Sequence, residues 1–309
     1  DDEKQGIAGQ FHSQLKGLIQ NEGGVNDYIP IDETTTHVLS DPICSIDNLE
    51  ILVNSFLEEF PNACFWQTSE RVSDYLSKIG FFVNHFGFET LLNLKEYSLS
   101  GKKKQNIRTA YNKTQKENVQ IPEIPFSSFD LNRAEAISDE WLDSKISDRF
   151  ELYFLARPLE LKSEEDVRIF GGVKNNELIG YVIFSPMYKN EQVYGYLADI
   201  YRVSNDSPPG LSDAIIVEAL KKFQSENVEL LSLGLCPFYG VDDKRDDFNP
   251  ITSLIFKGIF ISANELYGFQ NLAFHKARYQ GHEERVYFCS KEKVPINQTV
   301  DLFRACRVF

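Results

Sequence analysis

The feature that most constrains this chain is an order of local signals that occurs twice. "DPICSIDNLEILVNSFLEEFPNACFWQTS" passes from a proline turn through an amphipathic helix and a short loop into a strand, and "SPPGLSDAIIVEALKKFQSENVELLSLGL" passes through the same elements. In the first copy Ile46, Leu49, Leu52, Val53 and Phe56 recur at helical spacing until Pro61 stops the pattern. "SERVSDYLSKIG" then predicts a helix ended by Gly80, and "FFVNHFGFETLLNL" alternates as strands. Around the second copy, "AEAISDEWLDSK" predicts a helix, "VRIFGGVKNNELIGYVIFSPMY" a hairpin turning at Asn175-Asn176, and "QVYGYLADIYRV" a third strand. The following helix has Pro208 and Pro209 before it and Ser212 near its N-cap, and "ELLSLGLCPF" is an apolar strand. A chain that alternates in this way has to cover a sheet with helices.

Hairpin strands followed by helix, strand, helix, strand is the order of a GCN5-type acyltransferase domain. The expected fold is therefore α/β: tandem duplicated GCN5-related N-acyltransferase domains, with mixed central sheets flanked by helices. Shared α/β punctuation without duplication would leave a similar trace. The two prolines of "IPEIPFSSF" mark the linker, dividing the chain into 1–122 and 123–309. A length of 309 residues suits two domains, and 42% hydrophobic residues exclude a disordered chain.

The formal charge is -14, which excludes general coating of nucleic acid and adhesion to anionic lipid through net charge; DNA is not an expected partner. No run approaches the length of a membrane span, and "DDEKQGIAGQ" lacks the order of a signal peptide, so a soluble cytoplasmic protein is expected. Cys44, Cys64, Cys236, Cys289 and Cys306 are widely spaced and His12, His37, His85, His275 and His282 show no ligand spacing, so neither a metal nor a cofactor is called for. Against this acidic background "GKKKQNIRTAYNKTQKENV" collects Lys102, Lys103, Lys104, Arg108, Lys113 and Lys116. On a helix Lys104, Arg108 and Tyr111 share a face, which suits a phosphodiester and an unstacked base, or a solvated surface.

Several stretches together resemble the C-terminal catalytic domain of the phosphatidylglycerol lysyltransferases and alanyltransferases. "GFETLLNLKEYSLSGKKKQNIRTAYNKTQKENV" supplies Gly87, Glu89, Gly101, Lys102, Lys103, Arg108 and Asn112 in the family's order. "YLADIYRVSNDSPPGLSDAIIVEAL" supplies Asp199, Arg202, Pro209, Gly210 and Asp213, and "LSLGLCPF" follows. "YGFQNLAFHKARYQGHEERVYF" keeps Phe269, Leu272, Lys276, Tyr279 and Glu284 in register but has Asn271 for the usual Gly, His275 for an aromatic and Arg278 for a second Lys. The membrane-spanning region of the lipid enzymes is absent from the sequence.

The resemblance implies an aminoacyltransferase that moves an amino acid from the acceptor end of aminoacyl-tRNA to a hydroxyl or amine, with phosphatidylglycerol or another lipid as acceptor. Such a transfer needs fixed donors for the developing oxyanion. Lys276 and Arg278, on a strand-like segment after a predicted helix, are candidates for that role or for the tRNA terminal phosphates; the alternative is a solvated basic pair. Asp199, in an otherwise apolar strand, takes a proton from the acceptor or binds the donor's ammonium, unless it serves a structural ion pair. Glu89 raises the same choice. Arg202, Lys103, Lys104, Arg108, Asp213 and Glu284 are the expected substrate-binding set, although Asp213 also suits a helix N-terminus. Three rivals stand beside this reading: an acyl-CoA-dependent N-acetyltransferase using "RIFGGV", a Fem-like peptidoglycan aminoacyltransferase, and a non-catalytic binding protein with "KRDDFNPITS" as its interaction loop.

Overall fold

The computed structural model describes residues 18–21, 24–30, 36–143, 157–262, 268–292 and 295–306. Three antiparallel strands, β1 (Leu18–Asn21), β2 (Gly24–Pro30) and β3 (Thr36–Cys44), lead into helix α1 (Leu49–Glu59), and β4 (Cys64–Thr68) returns parallel to β3. Helix α2 (Glu70–Lys78) and strand β5 (Phe82–Asn93) follow. The later half repeats the arrangement. Antiparallel strands β6 (Arg168–Lys174), β7 (Glu177–Lys189) and β8 (Gln192–Val203) lead into a helix, Leu211–Ser225, and β9 (Leu230–Pro237) lies parallel to β8. Between the halves lie α3 (Gln105–Lys116) and α4 (Leu131–Asp143). The helix Leu211–Ser225 is α5, followed by α6 (Pro250–Ser262), α7 (Phe269–Ala277), β10 (His282–Ser290) and α8 (Ile296–Ala305).

All strands of the described residues join one mixed sheet in the order β1-β2-β3-β4-β10-β5-β9-β8-β7-β6, where separate central sheets were expected. The seam between the halves is the antiparallel pair β5–β9. Gly87 makes the contact possible, since a Cβ there would lie 2.2 Å from the Cys236 carbonyl oxygen. Strand β10, from the far end of the chain, is inserted between β4 and β5 and is antiparallel to both.

Local signals explain most boundaries. The helical repeat of α1 buries Leu49, Leu52, Val53 and Phe56, each worth about 1.5–3 kcal/mol when fully removed from water. Ser69 caps α2 by accepting from the Val72 amide, and the β6–β7 turn places both Asn175 and Asn176 at positive φ, as a tight hairpin requires. The N-cap of α5 is Gly210, in the left-handed region at φ 88°, rather than Ser212, which lies inside the first turn. The stretch expected to be a linker is bonded along β6: Gln120 and Val173 exchange backbone bonds, and the Ile124 amide donates to Ile169. Helix α5 buries Ile215, Ile216, Ala219 and Phe223 against Phe184 and Tyr196 on one face of the sheet, while α4 places Ala134 and Ile137 with Ile183 and Ile200 in a separate cluster.

Candidate functional site

The parallel strands β8 and β9 are bonded over three residues only, Gly195–Leu197 against Leu230–Ser232. Beyond that contact β8 continues to Val203 on β7, and β9 continues to Pro237 on β5. The strands part, and charged groups collect around the divergence. On the β8 side the register against β7 slips between Ala198 and Ile200, leaving Asp199 as an extra residue in a bulge. The bulge re-aims a carboxylate that regular alternation would keep in line.

Asp199 accepts a bond from Ser185 Oγ at 2.7 Å, and Arg157 Nη1 lies 3.9 Å away. Burial pushes its carboxyl up, against the lowering effects of Ser185 and Arg157. Arg157 is itself buried, pairs with Glu164 and donates to Ser185. The ion pair for Asp199 is thus supplied by Arg157. Arg202, on the same strand, is held elsewhere: it donates to Ser138 at 3.0 Å, and its guanidinium lies 4.1 Å from the Trp141 ring centroid. Of the expected substrate-binding set, Arg202 is packed into the sheet's α4 side.

On the opposite side, Lys276 is 6% exposed. Its ammonium donates to the Leu235 carbonyl at 2.8 Å and would be 3.4 Å from a Cβ on Gly234, whose φ is 78°. Burial lowers its pKa, and the neighbouring Cys236, Glu89 and Asp199 act in the opposite direction. Glu89, on β5, accepts from Ser232 Oγ at 2.7 Å, and Ser232 in turn accepts from the Gly234 amide at 2.9 Å. Burial pushes the Glu89 carboxyl up, Ser232 lowers it, and Glu284 raises it further. Glu284 stands directly opposite Glu89 in the β10–β5 ladder and is exposed. Asp199, Glu89 and Lys276 therefore form one electrostatic group.

Arg278 belongs to an adjoining cluster. Lys276 is in helix α7 and Arg278 at its C-cap, not on a strand, because Phe269, Ala273 and Lys276 recur at the spacing of a buried helical face. Arg278 donates to Asp213 Oδ2 at 3.0 Å; His275 Nε2 lies 2.9 Å from Asp213 Oδ1, and the Tyr279 hydroxyl donates to the same oxygen at 2.7 Å. Burial alone would raise the Asp213 carboxyl, but His275, Tyr279 and Arg278 outweigh it and hold its pKa below the ordinary value. Tyr201 connects the clusters. Burial raises its phenol, and Asp199, Asp213 and Cys236 all add to that shift.

The basic segment is a turn of 3-10 helix, Lys102–Lys104, running into α3. Two of its expected anion-binding cations are occupied by their own loop. Lys104 donates to the Ser98 carbonyl and stands 3.7 Å from the Tyr97 ring centroid, while Arg108 donates to the Leu99 and Gly101 carbonyls. Tyr111 donates to Glu218 and carries Lys221 over its ring. Lys102, Lys103, Lys113 and Lys116 are exposed. The Tyr97 hydroxyl donates to the Tyr279 carbonyl at 2.8 Å, which places the basic loop beside the Asp213 cluster.

Tyr201, Tyr279, Ser185, Ser232 and Arg157 were not anticipated as members of the site. Tyr201 and Ser232 lie in stretches that already carried the resemblance, and their hydroxyls beside apolar neighbours were the available signal. Two rival motifs sit in other surroundings. "RIFGGV" belongs to strand β6, with Arg168 clasped by Glu123 and Glu226, so no helix start is available there to cradle a pyrophosphate. In "KRDDFNPITS" Arg245 pairs with Asp247 and Asp74, and Asn249 accepts from the amides of Ile251 and Thr252 at the start of α6.

The family described as "Phosphatidylglycerol lysyltransferase, C-terminal" matches residues 32–290. A phosphatidylglycerol lysyltransferase of Bacillus subtilis (strain 168) is 24% identical over 275 residues, covering 86% of this chain and 31% of its own length. One from Staphylococcus xylosus is 27% identical over 253 residues, covering 78% and 28%. The chain thus spans about a third of the length of these relatives. The solved structure of L-PGS from Bacillus licheniformis superposes with a TM-score of 0.79 at 19% identity, covering 99% of this chain and 94% of that one, which establishes a shared fold. Among the described residues no helix is long and apolar enough to cross a membrane.

Proposed function

Because the chain belongs to the phosphatidylglycerol lysyltransferase C-terminal family, we propose that it transfers an amino acid from aminoacyl-tRNA to the hydroxyl of a phospholipid, on the cytoplasmic side of the membrane. The observation that carries this reading is the geometry where β8 leaves β9: Glu89 held by Ser232, Ser232 by the Gly234 amide, and the buried Lys276 ammonium on the Leu235 carbonyl beside Gly234, with Asp199 in the β8 bulge. The acceptor oxygen attacks the ester carbonyl, the bond to the ribose oxygen breaks, and the acceptor's proton passes to that released oxygen, regenerating the ribose hydroxyl. Lys276 faces the oxyanion that forms between these steps. Glu89, whose carboxyl burial makes easier to protonate, relays the proton; Asp199 takes the amino acid's ammonium with the oxygen not bonded to Ser185, at the expense of its long contact with Arg157. Arg278 and His275 flank the approach of the tRNA terminus, with Asp213 and Tyr279 fixing their positions. Lys102 and Lys103 supply phosphate contacts from the neighbouring loop.

The same reading takes the halves 1–122 and 123–309 as a tandem duplication in which the second repeat supplies most of the site and the first lends Glu89. Each half has a three-stranded antiparallel meander, a helix, and a strand parallel to the third, and this order supports the duplication. The test is to incubate the protein with charged tRNA carrying radiolabelled amino acid and with phosphatidylglycerol vesicles, then extract with organic solvent. Label in the lipid phase that disappears on prior ribonuclease treatment is the expected result. Label confined to the aqueous phase, or transfer that requires an acyl-CoA, would overturn it.

A further inference from the structure

On α6 the outward row is Ile251, Leu254, Gly258 and Ile261, with Ile251 45%, Leu254 71% and Ile261 72% exposed. Solvent-facing helix rows are ordinarily polar, so a row without a charged group is a feature to be explained. The row continues onto α7. Gln270 donates to the carbonyl of Phe260, next to Ile261, and Phe274, 68% exposed, lies one turn beyond Gln270 on the same side of the helix. His275 and Lys276 of the transfer site are the next two residues.

Charge separates the possible occupants. Acidic residues number 46 in 309, so about three are expected in the two helices on composition alone. Helices α6 and α7 contain none; their basic residues are Lys257, paired with Asp243 at 2.8 Å, His275, beside Asp213, and the buried Lys276. An apolar row whose helices add no carboxylate of their own, with Asp243 balanced by Lys257, is a near-neutral patch on a chain of net charge -14, and such a patch tolerates an anionic surface while burying apolar side chains. A second copy of this acidic chain would gain from the apolar row but has no use for the missing carboxylates.

We propose that α6 and α7 form an interfacial docking surface, with Leu254, Ile261 and Phe274 entering the boundary of an anionic phospholipid bilayer. The surface would bring the helix that carries Lys276 to the height of the lipid head groups. The inference rests on the lipid-acceptor reading for the identity of the lipid, and its test is independent of transfer. Flotation with vesicles of phosphatidylglycerol and phosphatidylcholine is compared for the protein and for Leu254→Gln/Ile261→Gln, with Leu254→Glu/Ile261→Glu as a second variant.

The protein is expected to float with the mixed vesicles and at least tenfold less with phosphatidylcholine alone. Both variants are expected to lose at least tenfold in partition, while keeping thermal unfolding and transfer to a short-chain, monomeric phosphatidylglycerol. Variants that float as the unchanged protein does would overturn the proposal. So would a monomer–dimer equilibrium by sedimentation that the variants abolish, because the face then meets a second copy. Flotation without lipid labelling in the monomeric assay would leave the docking surface standing and remove the lipid-acceptor reading; labelling of monomeric lipid without flotation would do the reverse.

Discussion

Beside the short contact of β3 with β4 the cluster is dominated by rings: Trp66 packs 3.9 Å from Phe288 between centroids, with Phe86 at 5.4 Å and Phe256 at 6.3 Å. Beside the equally short contact of β8 with β9 the residues are Lys276, Glu89, Asp199, Tyr201 and Cys236. The first contact is backed mainly by groups that gain from leaving water, with His37 bonded to Trp66 and Asp41 bonded to the Ser69 amide as its polar members, whereas the second gathers groups that lose by it. Buried aromatic rings need no further reason than packing. An ammonium and two carboxyls of opposed interest do, since an apolar filling of the same backbone is realised in the same molecule.

The largest expected effect breaks the aromatic side. Trp66→Ala should destabilise the protein by about 3–5 kcal/mol in urea unfolding, because it removes a fully buried indole and leaves a cavity. Per folded molecule, transfer activity should be unchanged; a loss of turnover without a loss of stability would erase the contrast. Lys276→Met makes the reverse test. Transfer should fall by about 100-fold to 1,000-fold, the range for losing one oxyanion donor, while unfolding changes little or moves toward greater stability. A variant that unfolds and retains its rate when folded would make Lys276 a packing residue.

The third prediction sharpens the comparison within the charged region. Asp213 has its folded pKa lowered below 3.8, so it contributes stability above that value and loses it as pH falls through the lower, folded value. Asp213→Asn should therefore cost about 1.5–3 kcal/mol at neutral pH, with the gap closing on the acid side of 3.8. Glu89 has its folded pKa raised above 4.5, so its stabilising contribution is present below 4.5 and lost as pH rises through the folded value. Glu89→Gln should be neutral or stabilising at neutral pH in the same melts, while slowing transfer. If both substitutions shift stability in one direction across the acid range, the two carboxyls share one environment and the distinction fails. The smallest effect is on binding: Lys102→Glu/Lys103→Glu should weaken tRNA association several-fold at moderate salt and reduce the salt slope by about one for each phosphate that is no longer neutralised. Filter binding across a salt series measures both.

Local chemistry was legible in the sequence and long-range pairing was not. The Asn175-Asn176 hairpin, the Gly80 stop and the apolar face of α1 follow from signals within a few residues of where they act. Nothing local reveals that β10 lies between β4 and β5, or that the proline-rich segment is bonded along β6. In the site, the cost of burying Asp199 in an apolar strand marked it as exceptional, but its partner Arg157 is 42 residues earlier in the chain and lies beyond any periodicity argument. The helical spacing correctly grouped Lys104 with Arg108, yet spacing gives a direction and not a recipient, and both turn back onto carbonyls of the preceding loop. The segment with Lys276 reads as strand-like in sequence, whereas Phe269, Ala273 and Lys276 are buried at the spacing of a helix.

The insertion of β10 also constrains how the molecule can be made. Strands β4 and β5 are only 14 residues apart between their facing ends, yet the strand that joins them is synthesised nearly 200 residues later. Until it emerges from the ribosome the early half has two raw strand edges turned toward each other, each able to capture a foreign strand. Assembly of the early half must therefore wait until β10 has been made, and a nascent chain stalled before His282 would be a species prone to mispairing rather than a working fragment.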